Sequence, residues 1–544
     1  MRRLLTLTAL PAAALAVAAV TTPSGAAADK TAAYGRFGFT TLGLGPGPQY
    51  GEPSLAIAPD GKHYAVSTPG SDGNHHGTAQ VWWSANTGKS FTHTYFTSNQ
   101  GGGDSALDFR PDGTLLGADL EALNTDSDSE VHISHDFGKT WNTQGSKAGS
   151  EQDRQWLAHT PDGKREFLVY HDFVAEGEFY VESDNGGQSW GVPHLVNDPS
   201  QAITAPGAAI APAPGSPASL ADQGVNTFSG PMLIANNAKD FYVVYSISNL
   251  ESNATTSSGF PPYGGVKGLV VAHSADAGQT WSNKYAVTIP PDVADPSKEA
   301  SVGTMFPWGF LDSAGNVYVV FGSTIAEPGS DHYGYYYVVS TDKGANWTKP
   351  RRIDGLGPGK GAVVFNAGAA VRPGVIDVAW LQKDTSGLGE DTGTFTPWFA
   401  QITGATASHP QIARQKITTV PNHRGGVCIQ GILCGIAPGS ADRSLLDFFQ
   451  LVVNPKTHLA AIAYADNGQF APRAGREVVF AQQTVQPKIA GAGTSKTARK
   501  TSASGTSRAG SLANTGGTPA APIAGLGLLA VVATGAALRR RRLG

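Results

Sequence analysis

One short pattern occurs five times along this chain, and it restricts the possible folds more than any other feature. It has the form Ser-x-Asp/Asn-x-Gly with Phe or Trp three residues after the glycine, and it occupies residues 84–91, 134–141, 183–190, 274–281 and 340–347. Each copy follows a short apolar or aromatic run and precedes another strand-like stretch, so each lies where a β-hairpin turns. The acid or amide can accept backbone N–H bonds, and the glycine permits positive φ. A repeated hairpin unit predicts a propeller.

A second repeated signal lies upstream of these turns. It is an apolar strand that ends in a Pro-Asp-Gly-like turn and is followed by another strand, as in PSLAIAPDGKHYAVS at residues 53–67, and it occurs seven times. The last unit lacks an outermost strand, which residues 36–42 could supply to close the ring. A closed ring also removes exposed sheet edges. We therefore predict an all-β propeller of seven four-stranded antiparallel blades, with six blades as the alternative.

The five repeated turns resemble the Asp-box, or bacterial neuraminidase repeat, of the sialidase-like β-propellers. Sialidases have six blades, which is the basis of the six-blade alternative. In that family the boxes brace outer hairpins away from the catalytic centre, so the resemblance implies a fold and gives the boxes a structural role.

Both ends of the chain have the composition of export signals. Arg2 and Arg3 precede an apolar run and small residues, so residues 1–28 are expected to be a signal peptide. Residues 29–486 form the predicted propeller, with an insertion loop at 197–224. Residues 487–511 are rich in Ala, Gly, Ser and Thr, and we expect a disordered, wall-spanning linker there.

Residues 512–544 begin with Leu-Ala-Asn-Thr-Gly and continue with an apolar stretch at 523–538 and four arginines. This order resembles the cell-wall sorting signal of Gram-positive surface proteins. The resemblance implies that a sortase cuts between Thr515 and Gly516 and joins Thr515 to peptidoglycan. It places the protein outside the cell, attached to the wall. A plain C-terminal transmembrane anchor is the alternative.

Charge and cysteine content limit the partners. The net charge is −4 and no basic stripe occurs, so nucleic acid is not an expected partner. The two cysteines, Cys428 and Cys434, share one glycine-rich loop, and in an exported protein they are best interpreted as a local disulfide. No His or further Cys lies at ligand spacing from them, so neither a metal nor a cofactor is expected. We expect a monomer.

One segment bears on the sialidase resemblance directly. Sialidases carry an aromatic-Arg-Ile-Pro motif whose arginine holds the substrate carboxylate, and the corresponding stretch here is Tyr50-Gly51-Glu52-Pro53. Gly51 replaces the guanidinium fork that binds a carboxylate, and Glu52 would repel an anionic sugar. The family's nucleophilic Tyr and its acid/base Asp have no assigned counterpart in this chain.

Aligning the inner strands on their turns predicts which residues line the centre of the ring. Glu52, Asp104 and Asp153 are the candidate catalytic carboxylates, since paired carboxylates can perform acid/base glycoside hydrolysis. The same carboxylates could instead cap backbone N–H groups and hold the blades together. The candidate substrate-binding residues are Arg154, Phe306, Trp308, Asn366, Arg443 and Asp447. Such a mixture of carboxylates and aromatics suits neutral or cationic sugars.

Three functions remain open from the sequence. The first is an enzyme of the sialidase-like superfamily, a glycoside hydrolase that acts on an extracellular glycan other than a sialoside. The second is a non-catalytic surface propeller that binds a glycan or glycoprotein. The third, an authentic exo-α-sialidase, requires that the alignment at residues 50–53 is wrong.

Overall fold

The computed structural model describes residues 37–44, 51–69, 79–96, 103–120, 128–142, 145–149, 152–172, 175, 177–197, 228–248, 266–288, 300, 307–328, 330–428, 442–469, 477–485 and 514–515. These residues form β-strands and turns and contain no helix. No described segment is therefore a helix that could cross a bilayer. The apolar stretch predicted at 523–538 lies outside the described residues.

The strands fall into seven sheets, which we number as blades in chain order after the first strand, β1 (Phe39–Gly43). Blade 1 contains β2 (Ser54–Ile57), β3 (Tyr64–Thr68), β4 (Gln80–Ser84) and β5 (Thr92–Tyr95). Blade 2 contains β6 (Ser105–Phe109), β7 (Leu115–Leu120), β8 (Ser129–Ser134) and β9 (Ser146–Ala148). Blade 3 contains β10 (Gln152–His159), β11 (Glu166–Asp172), β12 (Gly177–Ser183) and β13 (His194–Leu195).

The remaining blades follow the same order. Blade 4 contains β14 (Phe228–Ser229), β15 (Leu233–Ile234), β16 (Phe241–Ser248), β17 (Val266–Ser274) and β18 (Ser282–Thr288). Blade 5 contains β19 (Trp308–Leu311), β20 (Val317–Ser323), β21 (Gly334–Ser340) and β22 (Arg351–Arg352). Blade 6 contains β23 (Val363–Arg372), β24 (Val375–Lys383), β25 (Thr394–Thr403), β26 (Gln411–Lys416) and β27 (His423–Arg424), and blade 7 contains β28 (Gln450–Val453), β29 (Ala460–Asp466), β30 (Glu477–Gln483) and β1.

The blades form a closed ring. Strands within each blade pair antiparallel, and the innermost strands contact one another in chain order from β2 to β28, which contacts β2 again. The protein is a seven-bladed all-β propeller, so the prediction of seven blades is confirmed and the six-blade alternative is wrong.

Blade 7 combines both ends of the propeller. Strand β1 pairs antiparallel with β30, with Phe39 opposite Gln483 and Gly43 opposite Val479. This is the closure predicted for residues 36–42, and it covers the edge of β30, which would otherwise expose unpaired backbone groups. A last short strand, β31 (Asn514–Thr515), pairs with Leu107 and Ala106 of β6.

The turns between the first and second strands follow from their sequences. In blade 2 the Gly113 amide donates to the Arg110 carbonyl at 2.9 Å, and Gly113 has a φ of +90° that favours glycine. Asp112 Oδ1 accepts the Thr114 amide at 2.9 Å. Local hydrogen bonds of this kind make a Pro-Asp-Gly sequence a reliable turn signal.

All five repeated turns share one geometry and connect the third and fourth strands of blades 1 to 5. In each, the first serine hydroxyl accepts the amide of the glycine four residues later at 2.8–3.1 Å. The acid or amide at the third position accepts the amide four residues later at 2.8–3.0 Å. The closing Trp141, Trp281 and Trp347 are buried.

The antiparallel order separates two faces of the ring. First and third strands run in the same direction, so the Pro-Asp-Gly-like turns and the repeated turns lie on one face, which we call the bottom face. Residues that immediately precede the inner strands, such as Glu52 and Asp104, lie on the opposite, top face. The repeated turns are therefore remote from the centre of the top face.

Candidate functional site

The candidate site lies at the centre of the top face, where the inner strands begin. Glu52 precedes β2, Asp104 precedes β6 and Asp447 precedes β28, while Arg154 and Asn366 belong to β10 and β23. All five are buried, with at most 8% of each residue exposed. They come from five different blades. The shared direction of the inner strands places them on one face, and ring closure brings them together at its centre. The side chain of Asp153 and the whole of Phe306 lie outside the described residues.

Glu52 forms the link between the first and last blades. Its Oε1 accepts the backbone amide of Asp447 at 2.9 Å, which is the capping role weighed in the sequence. Its Oε2 is buried and has no hydrogen-bond partner among the described residues, as is also true of Asn366 Oδ1. Buried polar atoms normally have a partner, so a water or a ligand is the expected partner of these two oxygens.

The protonation of Glu52 is set by its surroundings. Complete burial raises the pKa of the Glu52 carboxyl well above its usual range, and the carboxylates of Asp447 and Asp104 raise this pKa further. The nearby guanidinium groups of Arg443 and Arg154 act in the opposite direction on the Glu52 pKa. The cluster therefore favours a protonated Glu52 beside two other carboxyl groups.

Each arginine of the cluster is engaged with a carboxylate. Arg443 donates from Nη1 to Asp447 Oδ1, and its Nη2 lies 4.0 Å from Glu52 Oε1. Arg154 Nε lies 3.4 Å from Asp104 Oδ2, and both side chains are almost fully buried. Buried charges require such pairing, because isolated ions are strongly disfavoured away from water.

Aromatic rings surround Arg154. Its guanidinium carbon lies 4.1 Å from the ring centroid of Trp156 and 4.6 Å from that of Phe448, both within cation–π range. Trp156 also packs edge-on against Trp308 at 5.6 Å, and the Trp308 indole donates to the Gly368 carbonyl at 2.8 Å. Trp308, predicted to bind substrate, therefore belongs to the central core, with 4% of the residue exposed.

The backbone is strained beside the cluster. Glu52, Phe365 and Leu446 have φ values of 48°, 48° and 58°, in the left-handed region that non-glycine residues rarely adopt. Each lies at or next to a candidate residue on the top face, whereas the other six such residues among those described lie in hairpin turns. Strain of this kind costs on the order of 1–3 kcal/mol per residue and clusters at functional sites.

Gly51 is held where a larger side chain would collide. A Cβ built on Gly51 would lie 2.8 Å from Leu446 Cδ1, below the distance that real Cβ contacts show. Leu446 precedes the first strand of blade 7 and is one of the residues with positive φ. The local backbone has no space for an arginine at position 51 unless Leu446 moves.

Sequence reasoning missed part of this arrangement. Trp156 and Phe448 were not assigned as the rings that contact Arg154, although each lies within two residues of a charged residue at the start of an inner strand, which is a usable signal. The strain at Phe365 and Leu446 had no signal, since neither is glycine.

Cys428 is disulfide-bonded. Its only possible partner within the chain, Cys434, lies outside the described residues, and so does Gly516.

Comparisons with known proteins give structural matches only. No protein-family model and no curated protein matches the sequence. A protein of unknown function from Dyadobacter fermentans has 13% identity and a TM-score of 0.41, covering 82% of this chain and 98% of its own. The alpha-L-arabinanase of Penicillium chrysogenum has 15% identity and a TM-score of 0.38, covering 70% and 92%.

A third match is the NanB sialidase of Streptococcus pneumoniae, with 11% identity and a TM-score of 0.36, covering 81% of this chain and 70% of its own. At these identities and TM-scores the likeness has no bearing on the activity of this chain. The seven-bladed fold rests on the strand pairing of the chain itself.

Proposed function

We propose that this chain is an exported propeller that acts on neutral or cationic glycans at the centre of its top face. The observation that carries the proposal is the buried Glu52 carboxyl next to Asp447 and Asp104, whose pKa is raised by its burial and by these two neighbours. Catalytic acids are made in this way, by burial and by like charges that keep one carboxyl group neutral.

The chemistry would be acid-catalysed glycoside hydrolysis. Glu52 donates its proton to the leaving glycosidic oxygen as the bond to the anomeric carbon breaks. Water then adds to that carbon and gives a proton to a second carboxylate, for which Asp104 and Asp153 are the candidates. Asn366 Oδ1, a buried acceptor with no hydrogen-bond partner among the described residues, would receive a hydroxyl hydrogen bond from the sugar.

The arginines argue against an anionic substrate. Arg154 contacts the rings of Trp156 and Phe448 and is paired with Asp104, and Arg443 is bonded to Asp447. Both guanidinium groups are already engaged with a carboxylate, and a side chain at position 51 would collide with Leu446 unless Leu446 moved. These contacts support a function other than sialidase.

Non-catalytic binding is the second candidate, and a specific observation favours it. Glu52 caps the Asp447 amide, Asp104 pairs with Arg154, and Asp447 pairs with Arg443. These three carboxylates of the candidate site therefore already have structural partners. A propeller braced in this way could bind a glycan or glycoprotein at the cell surface without turnover.

Export and attachment belong to the same proposal. The signal at residues 1–28, the Leu-Ala-Asn-Thr-Gly sequence and a Cys428–Cys434 bridge all fit a protein linked to the cell wall through Thr515. An extracellular glycan is the kind of ligand that a protein in this place would meet.

The test is a glycan array followed by hydrolysis assays on every glycan bound. Binding of neutral or amino sugars with release of reducing ends would support the enzyme, and binding without release would support the second candidate. Rapid cleavage of a fluorogenic α-sialoside, or the absence of any glycan binding, would contradict the proposal.

A further inference from the structure

A second polar cluster lies on the top face, between blades 5 and 6 and outside the site described above. The loop between β20 and β21 carries Asp331 and His332, and the loop between β24 and β25 carries Glu390. One donor atom from each of these three side chains lies within 4.8 Å of the other two. An imidazole and two carboxylates from neighbouring blades thus converge on one point.

The two loops are held together by hydrogen bonds to Asp331. The Leu388 amide donates to the Asp331 carbonyl at 3.0 Å, and the Gly389 amide donates to Asp331 Oδ2 at 3.1 Å. Gly387 permits this approach, since a Cβ there would lie 1.8 Å from Asp331 Oδ1. The backbone therefore fixes Asp331 beside the loop that carries Glu390.

His332 is oriented by a fourth residue. Its Nδ1 lies 3.1 Å from Glu327 Oε2, and Glu327 Oε1 accepts the Gly359 amide at 2.6 Å. A carboxylate at Nδ1 places the imidazole proton on that nitrogen and leaves the lone pair on Nε2. Histidines that bind metals are oriented by an outer carboxylate in the same way, which also raises their basicity as ligands.

The charge balance leaves the two ligand carboxylates without an ion pair. Within the described part of the chain, neither Asp331 nor Glu390 forms a salt bridge to a Lys or Arg. The nearest ammonium, of Lys383, donates instead to the backbone carbonyls of Gly387 and Glu390. Lys383 still interacts electrostatically with both carboxylates, so the two carboxylates and this one ammonium leave a net negative charge that a divalent cation would neutralise.

We propose that Asp331, His332 and Glu390 bind one divalent transition-metal ion of the Zn²⁺ class, which joins the top-face loops of blades 5 and 6. A mixed nitrogen and oxygen set favours this class, whereas Ca²⁺ and Mg²⁺ prefer oxygen ligands alone. Tetrahedral bonds of about 2.0–2.1 Å separate donors by roughly 3.3 Å. The three side chains are partly or fully exposed, so small rotations bring them to this spacing.

The experiment is a calorimetric titration of the full chain, stripped of metal with EDTA, with ZnCl₂ and separately with CaCl₂. We expect one equivalent of Zn²⁺ to bind, with a rise in melting temperature, and no comparable binding of Ca²⁺. His332→Ala should weaken Zn²⁺ binding at least tenfold. Glu327→Gln leaves all three ligands in place. It should weaken Zn²⁺ binding by roughly 10- to 100-fold, because the His332 ring loses the carboxylate that orients it.

The matched control is His409→Ala, which removes an exposed histidine from the bottom face of blade 6. This variant should bind Zn²⁺ like the wild type. Melting curves in EDTA establish that each variant is folded. The proposal is overturned if no Zn²⁺ binds, if His332→Ala binds it unchanged, or if Ca²⁺ binds more tightly than Zn²⁺.

Discussion

The Oε1 atom of Glu52 accepts the backbone amide of Asp447 across 2.9 Å, although 395 positions separate the two residues in the chain. This bond joins the first blade to the last at the centre of the top face. It ties the candidate acid to the closure of the ring, so the same side chain has a structural role and a candidate chemical role.

The two roles can be separated by Glu52→Gln. The amide keeps an oxygen for the Asp447 amide and removes the proton that titrates, so we expect the fold to be retained. General acid catalysis contributes about 10²–10⁴-fold, and hydrolysis should fall within that range. Rates on the glycan found by array would be measured together with its Kd.

The control is Asp162→Asn, which changes an exposed carboxylate on the bottom face. It should leave the rate of hydrolysis unaltered. An unchanged rate in Glu52→Gln would exclude Glu52 as the acid.

A buried carboxyl in blade 6 should make stability depend on pH. Burial raises the pKa of Asp377 to about 8 from its ordinary 3.8, while the hydrogen bond from Gln401 and the charge of Arg372 oppose this rise. Between pH 3.8 and about pH 8, Asp377 keeps its proton in the folded chain and loses it in the unfolded chain. The Asp377 contribution to stability is therefore fully present below about pH 4 and is lost as pH rises to about 8, by roughly 1.4 kcal/mol per unit.

Asp377→Asn removes this titration and keeps the acceptor for Gln401. The variant should gain stability over the wild type progressively from pH 5 to pH 8 in urea unfolding. Asp276→Asn, on an exposed turn, is the control and should show no such gain in this range. A difference between Asp377→Asn and the wild type that is constant with pH would contradict the prediction.

Ring closure depends on the residues around β1. Phe37 is 4% exposed and packs edge-on against Phe399 at a centroid distance of 4.9 Å. Phe37→Ala should lower the free energy of unfolding by about 3–5 kcal/mol. The exposed Thr40 lies three residues further along the chain, in β1, and Thr40→Ala should cost less than about 1 kcal/mol. Equal effects of the two changes in denaturant unfolding would refute a closure role for Phe37.

The buried serine of the repeated turn is predicted to stabilise the fold. Ser274 accepts the buried Gly278 amide at 2.9 Å and donates to Asp276 at 2.7 Å. Ser274→Ala leaves that amide without a partner and should cost about 1–3 kcal/mol. Ser282→Ala, at an exposed serine, should cost under about 0.5 kcal/mol. Urea midpoints of the two variants measure the difference, and a neutral Ser274→Ala would show that water replaces the hydroxyl.

Attachment to the wall is tested by mass spectrometry of the mature protein released with a peptidoglycan hydrolase. Cleavage between Thr515 and Gly516 predicts a wall fragment on the carboxyl group of Thr515. Detection of the terminal arginines, residues 539–542, in the mature surface protein would instead indicate a membrane anchor.

The sequence by itself determined the blades. Each turn signal works through hydrogen bonds between residues at most a few positions apart, such as Ser274 with Gly278 and Asp112 with Thr114. Such bonds form wherever the residues occur, so counting the signals gave seven blades. Each turn reverses the direction of the chain, so the first strands of all blades begin on the same face. The turn signals therefore also placed Glu52, Asp104 and Asp447, which precede such strands, on one face.

Only the tertiary structure decided how these residues meet. The Glu52 bond to Asp447, the contact of Arg154 with Phe448, and the approach of Asp331 to Glu390 all join different blades. Their distances depend on how the blades pack and close, which no local pattern specifies. Burial then sets the protonation of Glu52, since water is excluded only when the ring is complete.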